Sequence, residues 1–376
     1  MVDGGVHDPR PRRTSARCDS KVERLTGLMK FPEGSLKDRL KRARDRARVS
    51  LYTYGRGAIH YRVASTALDR EADAVFAGIQ AHHSRVRTGS ELFELRRRVH
   101  MIEKGLTMRP RRDTFAVAYI DLVLDRLSTA MVQGLLTDEM IAWSRDVLDG
   151  YFDATSSSPN AVIAAARDRY RGMNLTSSMP YLGPGGPTVG IAAANFDDLC
   201  ELAQRRRSVR WFDDRPVDRA TVDRAIAMAI EAPTACNRVP YSFRVFDRPE
   251  DARRVAAIAG GTAGYVHNLN AVMVLVGDLS AYVDERDRHL IYIDGSLAAM
   301  SLLLGLEVQG VSSCCINWPD LRRPEKEIRR LLDLAPYERV VMLIAYGHAD
   351  PDGLAPVSPK VPLNMARKYE VLANGE

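Results

Sequence analysis

Residues 205–212, Arg-Arg-Arg-Ser-Val-Arg-Trp-Phe, concentrate fixed positive charge, and no acid interrupts them before Asp213. In an extended segment side chains alternate, so Arg206, Ser208 and Arg210 share one face. Two guanidiniums around a hydroxyl form a competent phosphate site, because arginine offers paired donors to phosphate oxygens. A solvated basic loop is the plainer reading of the same residues. A second polar group lies in His-Met-Ile-Glu-Lys-Gly-Leu-Thr-Met-Arg-Pro-Arg-Arg, residues 100–112. There His100 and Glu103 are i, i+3 neighbours, followed by Lys104, and together they could meet a substrate. A polar helix face with a basic loop after it is again the plainer reading.

Other catalytic patterns are missing. No Ser-His-Asp arrangement or pair of carboxylates stands out, and the eight histidines show no HExxH or Cys/His spacing, so no metal site is expected. The five cysteines, Cys18, Cys200, Cys236, Cys314 and Cys315, are odd in number and form no CxxC, which fits a reducing cytoplasm. A redox role for the vicinal Cys314–Cys315 competes with the simpler expectation of small residues on a buried strand.

These groups need elements to hold them. Residues 1–35 are rich in Pro, Gly, Arg and Ser without apolar period and read as a disordered basic tail. From 36 to 175 the pattern is all helical, with segments at 35–52, 70–83, 88–106, 114–133, 137–152 and 159–172. The clearest is 88–106, where Thr88 and Glu91 make a capping box, Leu92, Leu95, Val99, Ile102 and Leu106 recur at helical spacing, and Gly105 can end it. Residues 176–194 form a Pro/Gly/Ser linker. Beyond it the character becomes mixed. Helices fit 195–206 and 218–231, capped by Asn195 and Asp218, and strands fit 241–246, 271–277 and 339–347. The segment 294–310 reads as an Asp294-capped helix, apolar on nearly every face, which calls for burial all round, in a core or at a subunit interface.

Order now joins the pieces. Arg-Arg-Ser-Val-Arg at 206–210, Ala-Pro-Thr-Ala-Cys-Asn at 232–237, Pro240 before a strand, Gly-Leu-Glu-Val-Gln-Gly-Val-Ser-Ser-Cys-Cys-Ile-Asn at 305–317 and the tail at 358–363 follow one another as in a known family. Residues 195–376 resemble the nitroreductase family of FMN-dependent oxidoreductases. The resemblance implies an α+β fold, a mixed sheet flanked by helices, here preceded by the helical domain. It implies a homodimer with FMN in the interface and NAD(P)H as electron donor. By the same resemblance Arg206, Ser208 and Lys360 would hold the FMN phosphate, with Arg207 assisting, and Arg210 would sit by the pyrimidine edge. Pro233, Thr234 and Asn237 would reach the flavin of the second subunit. Cys315, Ile316, Asn317 and Trp318 would pass beside the ring, Trp318 and the His100, Glu103 and Lys104 group serving the substrate. The sequence departs from the family where Val239 and Tyr241 flank Pro240, where the tail carries the single Lys360, and at Asn317. The helical excursion that usually covers the flavin is absent, only 279–293 standing in its place, so the N-terminal helical domain is expected to cover the site instead.

The function expected is hydride transfer through flavin N5 in alternate half-reactions, from NAD(P)H to a nitro- or quinone-type small molecule. A tailoring dehydrogenase or oxidase of a biosynthetic intermediate is an alternative, and a degenerate dimeric binding module is one of another class. The formal charge of +6 belongs to the tail: residues 1–50 hold 14 basic against 7 acidic residues, leaving the rest near neutral. A nucleic-acid partner is therefore not expected. Nor is a membrane, because runs such as 271–277 fall far short of the roughly 20 apolar residues that span a bilayer.

Overall fold

The computed structural model describes residues 68–88, 92–186 and 194–370. The expected basic tail, the helix at 35–52, Glu91 of the expected capping box and residues 187–193 of the linker lie outside the described residues, while Thr88 is the last residue of a helix that precedes 92. Residues Ala67–Glu376 cluster as one compact unit.

In the first part of that unit every element is helical: α1 Asp69–Thr88, α2 Leu92–Leu106, α3 Ile120–Val132, α4 Asp138–Ala154 and α5 Ala161–Arg171. Local chemistry starts two of them, since Thr137 accepts from the Met140 N–H ahead of α4 and Asn160 from Val162 and Ile163 ahead of α5. Leu95, Val99 and Ile102 of α2 are buried with Leu124, Leu127, Val147, Leu148 and Tyr151 in one core. Gly105 does not end α2, which continues to Leu106; its lack of a side chain admits the Phe115 ring, 2.5 Å from where a Cβ would stand. Residues 172–186 form neither helix nor strand, yet Leu175 and Leu182 pack on this core, and Asp146 accepts from the Leu182 N–H at 2.6 Å.

The second part holds α6 Phe196–Arg205, α7 Arg219–Ile230, β1 Tyr241–Phe246, α8 Pro249–Ile258, β2 Ala271–Asp278, α9 Leu290–Glu307, β3 Ser312–Asn317, α10 Arg322–Leu332, β4 Glu338–Gly347 and the short α11 Leu363–Ala366. Its sheet runs β1-β2-β4-β3, with every pair antiparallel. β2 is apolar throughout because both faces are covered. Val272, Val274 and Val276 face α8 and α10, whereas Met273 and Leu275 face α7 and α9. Expected strands and helices match closely, but α8 and α10 were not among them.

α9 differs from expectation. It begins at Leu290, one turn before Asp294, and Asp294 is a buried side chain inside it rather than its cap. Nor is it buried all round. One side packs on the sheet, while Ile293, Leu297 and Met300 form a stripe 53%, 45% and 42% exposed. The segment Glu285–Glu307 is long and apolar enough to cross a membrane by length and composition, and half of its most apolar window is buried in the protein. Ahead of it, Leu279, Ala281, Tyr282 and Ile291 pack against Ala74 and Val75 of α1. Gly78 allows this approach, because a Cβ there would stand 2.8 Å from Leu279.

Candidate functional site

The arginine cluster is held by its apolar members. At Arg206 the chain leaves α6 for extended backbone, and Ser208 bridges Ser313 on the edge strand β3, with the Val209 N–H donating to Ser313 O at 3.1 Å. Phe212, 2% exposed, pairs with Ala349, and Asn268 both accepts from and donates to its backbone. The polar side chains between these anchors border a cavity of about 430 Å³. Arg206, Arg207, Ser208 and Lys360 line it together, with the chain from Pro356 to Pro359. Arg206 Nε is buried and has no hydrogen-bond partner, a donor left for something that fills the cavity. Arg207 Nη1 donates to Val357 O at 2.6 Å and so ties the tail beside the cluster. Arg210 goes elsewhere: its guanidinium lies 5.7 Å from the Tyr265 ring centre and donates to Ser208 O at 3.3 Å.

Along β3 the side chains alternate. Cys315 and Asn317 are exposed, whereas Cys314 and Ile316 are 1% and 3% exposed in the core. Ile316 therefore offers a neighbouring ligand only its backbone. Trp318 also turns inward, packing on the core while its indole N–H donates to Glu325 at 2.6 Å, so its side chain is not on the Cys315–Asn317 face. Burial pushes the Cys314 thiol up, which disfavours the thiolate a redox role needs, and both Cys314 and Cys315 are free cysteines.

Pro233, Thr234 and Asn237 sit on the loop between α7 and β1. Three residues there, Cys236, Asn237 and Val239, have φ of 53–55°, in the left-handed region. The loop keeps this shape through specific partners. Asp294 Oδ2 accepts from the Ala235 N–H at 3.0 Å, Thr234 Oγ1 from Val239 at 3.1 Å, and Arg238 donates to Ala235 O at 3.1 Å. Burial raises the Asp294 carboxyl, opposed by the Ala235 hydrogen bond and by Arg238. Arg238 is itself 3% exposed and stacks 5.1 Å above Tyr282.

A helix of the first part reaches this loop. Arg96 of α2 donates from Nε to Asn237 O at 2.7 Å and from Nη2 to Asn237 Oδ1 at 3.0 Å. Its guanidinium lies 5.7 Å from the Trp143 ring, whose indole donates to Glu103 at 3.2 Å. Glu103 also meets His100 Nδ1 at 3.1 Å. The i, i+3 pair is thus present and joined to the Asn237 loop, while Lys104 is exposed and outside this chain of contacts. Arg96, Trp143 and Arg238 were not singled out in the sequence, and Asp294 only as a helix cap; the crowding of arginine at 96–98 alone marked the first. Among the described residues no hydrogen bond links the Arg206–Lys360 cluster to Pro233–Asn237, which do not line the cluster's cavity, and no group of His, Cys, Asp or Glu could hold a metal ion.

Comparison with known proteins falls on this second part. The nitroreductase family model matches residues 203–264 and 260–348, a span holding the cluster, the Asn237 loop and the whole sheet. Over residues 203–348 the chain is thus similar to the nitroreductase family, and this part is the nitroreductase-like domain. The nitroreductase-like domain is 27% identical over 187 residues to a Thermus thermophilus NADH dehydrogenase, covering 42% of this chain and 89% of that protein. It is 32% identical over 104 residues to the CLA biosynthesis enone reductase of Lactiplantibacillus plantarum, covering 27% and 48%. A Desulfovibrio desulfuricans structure in complex with FMN superposes with a TM-score of 0.40 at 21% identity, over 46% of this chain and 98% of that one. The helical first part has no assigned family.

Proposed function

We propose that the protein is an FMN-dependent oxidoreductase that uses NAD(P)H to reduce a nitro-, quinone- or enone-type small molecule. Similarity to the nitroreductase family supports the reaction class. The observation that carries the cofactor is the cavity in which Arg206, Arg207, Ser208 and Lys360 converge around a buried donor without partner. Those residues fit a phosphate: three fixed or near-fixed cations, a hydroxyl and no carboxylate. Arg206, Ser208 and Lys360 would hold it, and Arg207 would fix the tail that brings Lys360. FMN held there would supply the hydride chemistry that links the nicotinamide donor to the acceptor. This chain's residues then bind, orient and exclude water. Arg210, beside the cluster, would place positive charge where the flavin pyrimidine gains electrons. Cys315 and Asn317 would border the ring, and Ile316 would contribute backbone alone.

The functional unit is a homodimer, with Pro233, Thr234 and Asn237 of one copy reaching the flavin of the other. The two groups of residues do not meet within one chain, which supports that division. α6 supports it as well, having no buried residue and leaving Phe196 and Leu199 75% and 52% exposed. The α9 stripe and the exposed tail from Leu354 to Tyr369 supply further apolar surface. The helical first part, α2 foremost, forms the roof over the substrate in place of the missing excursion. Arg206→Ala with Ser208→Ala tests the cofactor site: purified variant dimer should carry less than a tenth of the wild-type FMN while melting at a similar temperature. A variant that stays fully loaded would contradict the phosphate assignment.

A further inference from the structure

The chemistry of one contact fixes more than its distance. A guanidinium has five N–H donors and no acceptor, so both atoms of Asn237 that face Arg96 must be oxygens. The side-chain amide is therefore turned with Oδ1 toward Arg96 and Nδ2 away from it. No described residue accepts from Nδ2, and the side chain is half-buried rather than immersed in solvent. The rest of the loop is fixed independently, by Asp294 on Ala235 and Thr234 on Val239. Arg96 adds to that support through Asn237 O, and among the described residues it alone sets the orientation of the Asn237 amide.

Arg96 is committed to this contact. Its neighbours Arg97 and Arg98 both pair with Glu94, a carboxylate 5% exposed, which leaves Arg96 without an acid among the described residues. Trp143 lies under the guanidinium, Glu103 holds Trp143, and His100 holds Glu103. Arg96, His100 and Glu103 fall on one face of α2, adjacent to the buried face of Leu95, Val99 and Ile102. Drawing a guanidinium out of water toward neutral acceptors is costly, and a neutral donor would steady a loop equally well. A fixed donor-only group does what a neutral amide could not: it forbids the flipped Asn237.

We propose that Arg96 is a positioning residue for the cofactor site, holding Asn237 so that its Nδ2 donors are presented to a hydrogen-bond acceptor on the flavin. The proposal rests on the FMN reading above. The ligand edge it suits is a carbonyl oxygen or bare ring nitrogen of a planar heterocycle. Through this one residue the helical first part acts on the affinity of the nitroreductase-like domain for its cofactor.

The test is FMN titration of the apo full-length protein by flavin fluorescence, with thermal melting of each variant alongside. Arg96→Ala and Asn237→Ala should each raise the FMN Kd about tenfold, equivalent to about 1.4 kcal/mol. The double variant should be no weaker than either single one, because Arg96 acts through Asn237. Asn237→Asp separates positioning from mere support. It keeps or strengthens the contact with Arg96, and so the melting temperature, but removes the donor, so the Kd should still rise. Single effects that multiply in the double variant, or an Asn237→Asp protein with wild-type affinity, would overturn the proposal. Should Arg96→Ala not fold, Arg96→Gln completes the same cycle. A wild-type protein that binds no FMN would end the underlying reading before any variant is compared.

Discussion

The arginine cluster and the Asn237 loop are both irregular and polar, and they are built in opposite ways. The cluster is anchored only by Val209 and Phe212, and its charges border a cavity with a buried donor left over. The loop holds three left-handed residues, yet its backbone is pinned by Asp294, Thr234 and Arg238 from inside and by Arg96 from α2. Side chains short of partners suit a site finished by a ligand, whereas a pinned backbone suits a surface that must keep its shape before the ligand arrives, even where side-chain donors such as Asn237 Nδ2 and the buried Arg238 Nε are left over. Changes in the loop should therefore be felt in stability, and changes in the cluster mainly in binding.

The largest break in that contrast should come from Asp294→Ala. It strands the Ala235 N–H and leaves buried Arg238 without its nearby carboxylate, at a cost of about 3 kcal/mol, read as a fall in the denaturation midpoint. Gly105→Ala comes next, because a Cβ meets the Phe115 ring under α2 and should cost about 1–3 kcal/mol by urea unfolding.

Acid provides a smaller, reversible break. His82 on α1 is 4% exposed and its Nδ1 lies 2.9 Å from Ser280 O, which as a carbonyl accepts. Burial lowers its basicity, opposed by that hydrogen bond and by Glu94, and reinforced by His83 and Arg238. The folded protein thus resists a proton that the unfolded chain takes up near pH 6.5. This contribution is intact above that pH and is lost as pH falls below it, so the melting temperature should drop there, and His82→Gln should flatten the drop. At the small end, Arg207→Ala removes one exposed bond to Val357 and should leave the melting temperature within about a degree, while FMN affinity falls as the tail and Lys360 loosen.

How far these features can be read from the chain follows from how local their causes are. β1, β2 and β4 were legible because alternation and continuous apolar runs record which faces are covered. The cap Asn195 acts on an N–H two residues on and was legible for that reason. Asp294 misled because its carboxylate serves Ala235, 59 positions away, and not its own helix. The arginine cluster was visible as residue types, and Lys360 joined it through resemblance, since no local pattern carries a contact across 150 residues of chain. Arg96 stayed hidden among three arginines until Glu94 was seen to take the other two. Ile316 and Trp318 were drawn toward the ring by motif, and the pleat of β3 and the bond to Glu325 turn their side chains inward.

The central claim is that a phosphate-bearing flavin completes the open cluster and works with a nicotinamide donor. The visible absorption spectrum of purified wild-type protein, before and after anaerobic addition of NADH or NADPH, tests it most directly. The account predicts a yellow protein whose flavin band bleaches with one of the two donors. A colourless protein that takes up no added FMN would contradict it.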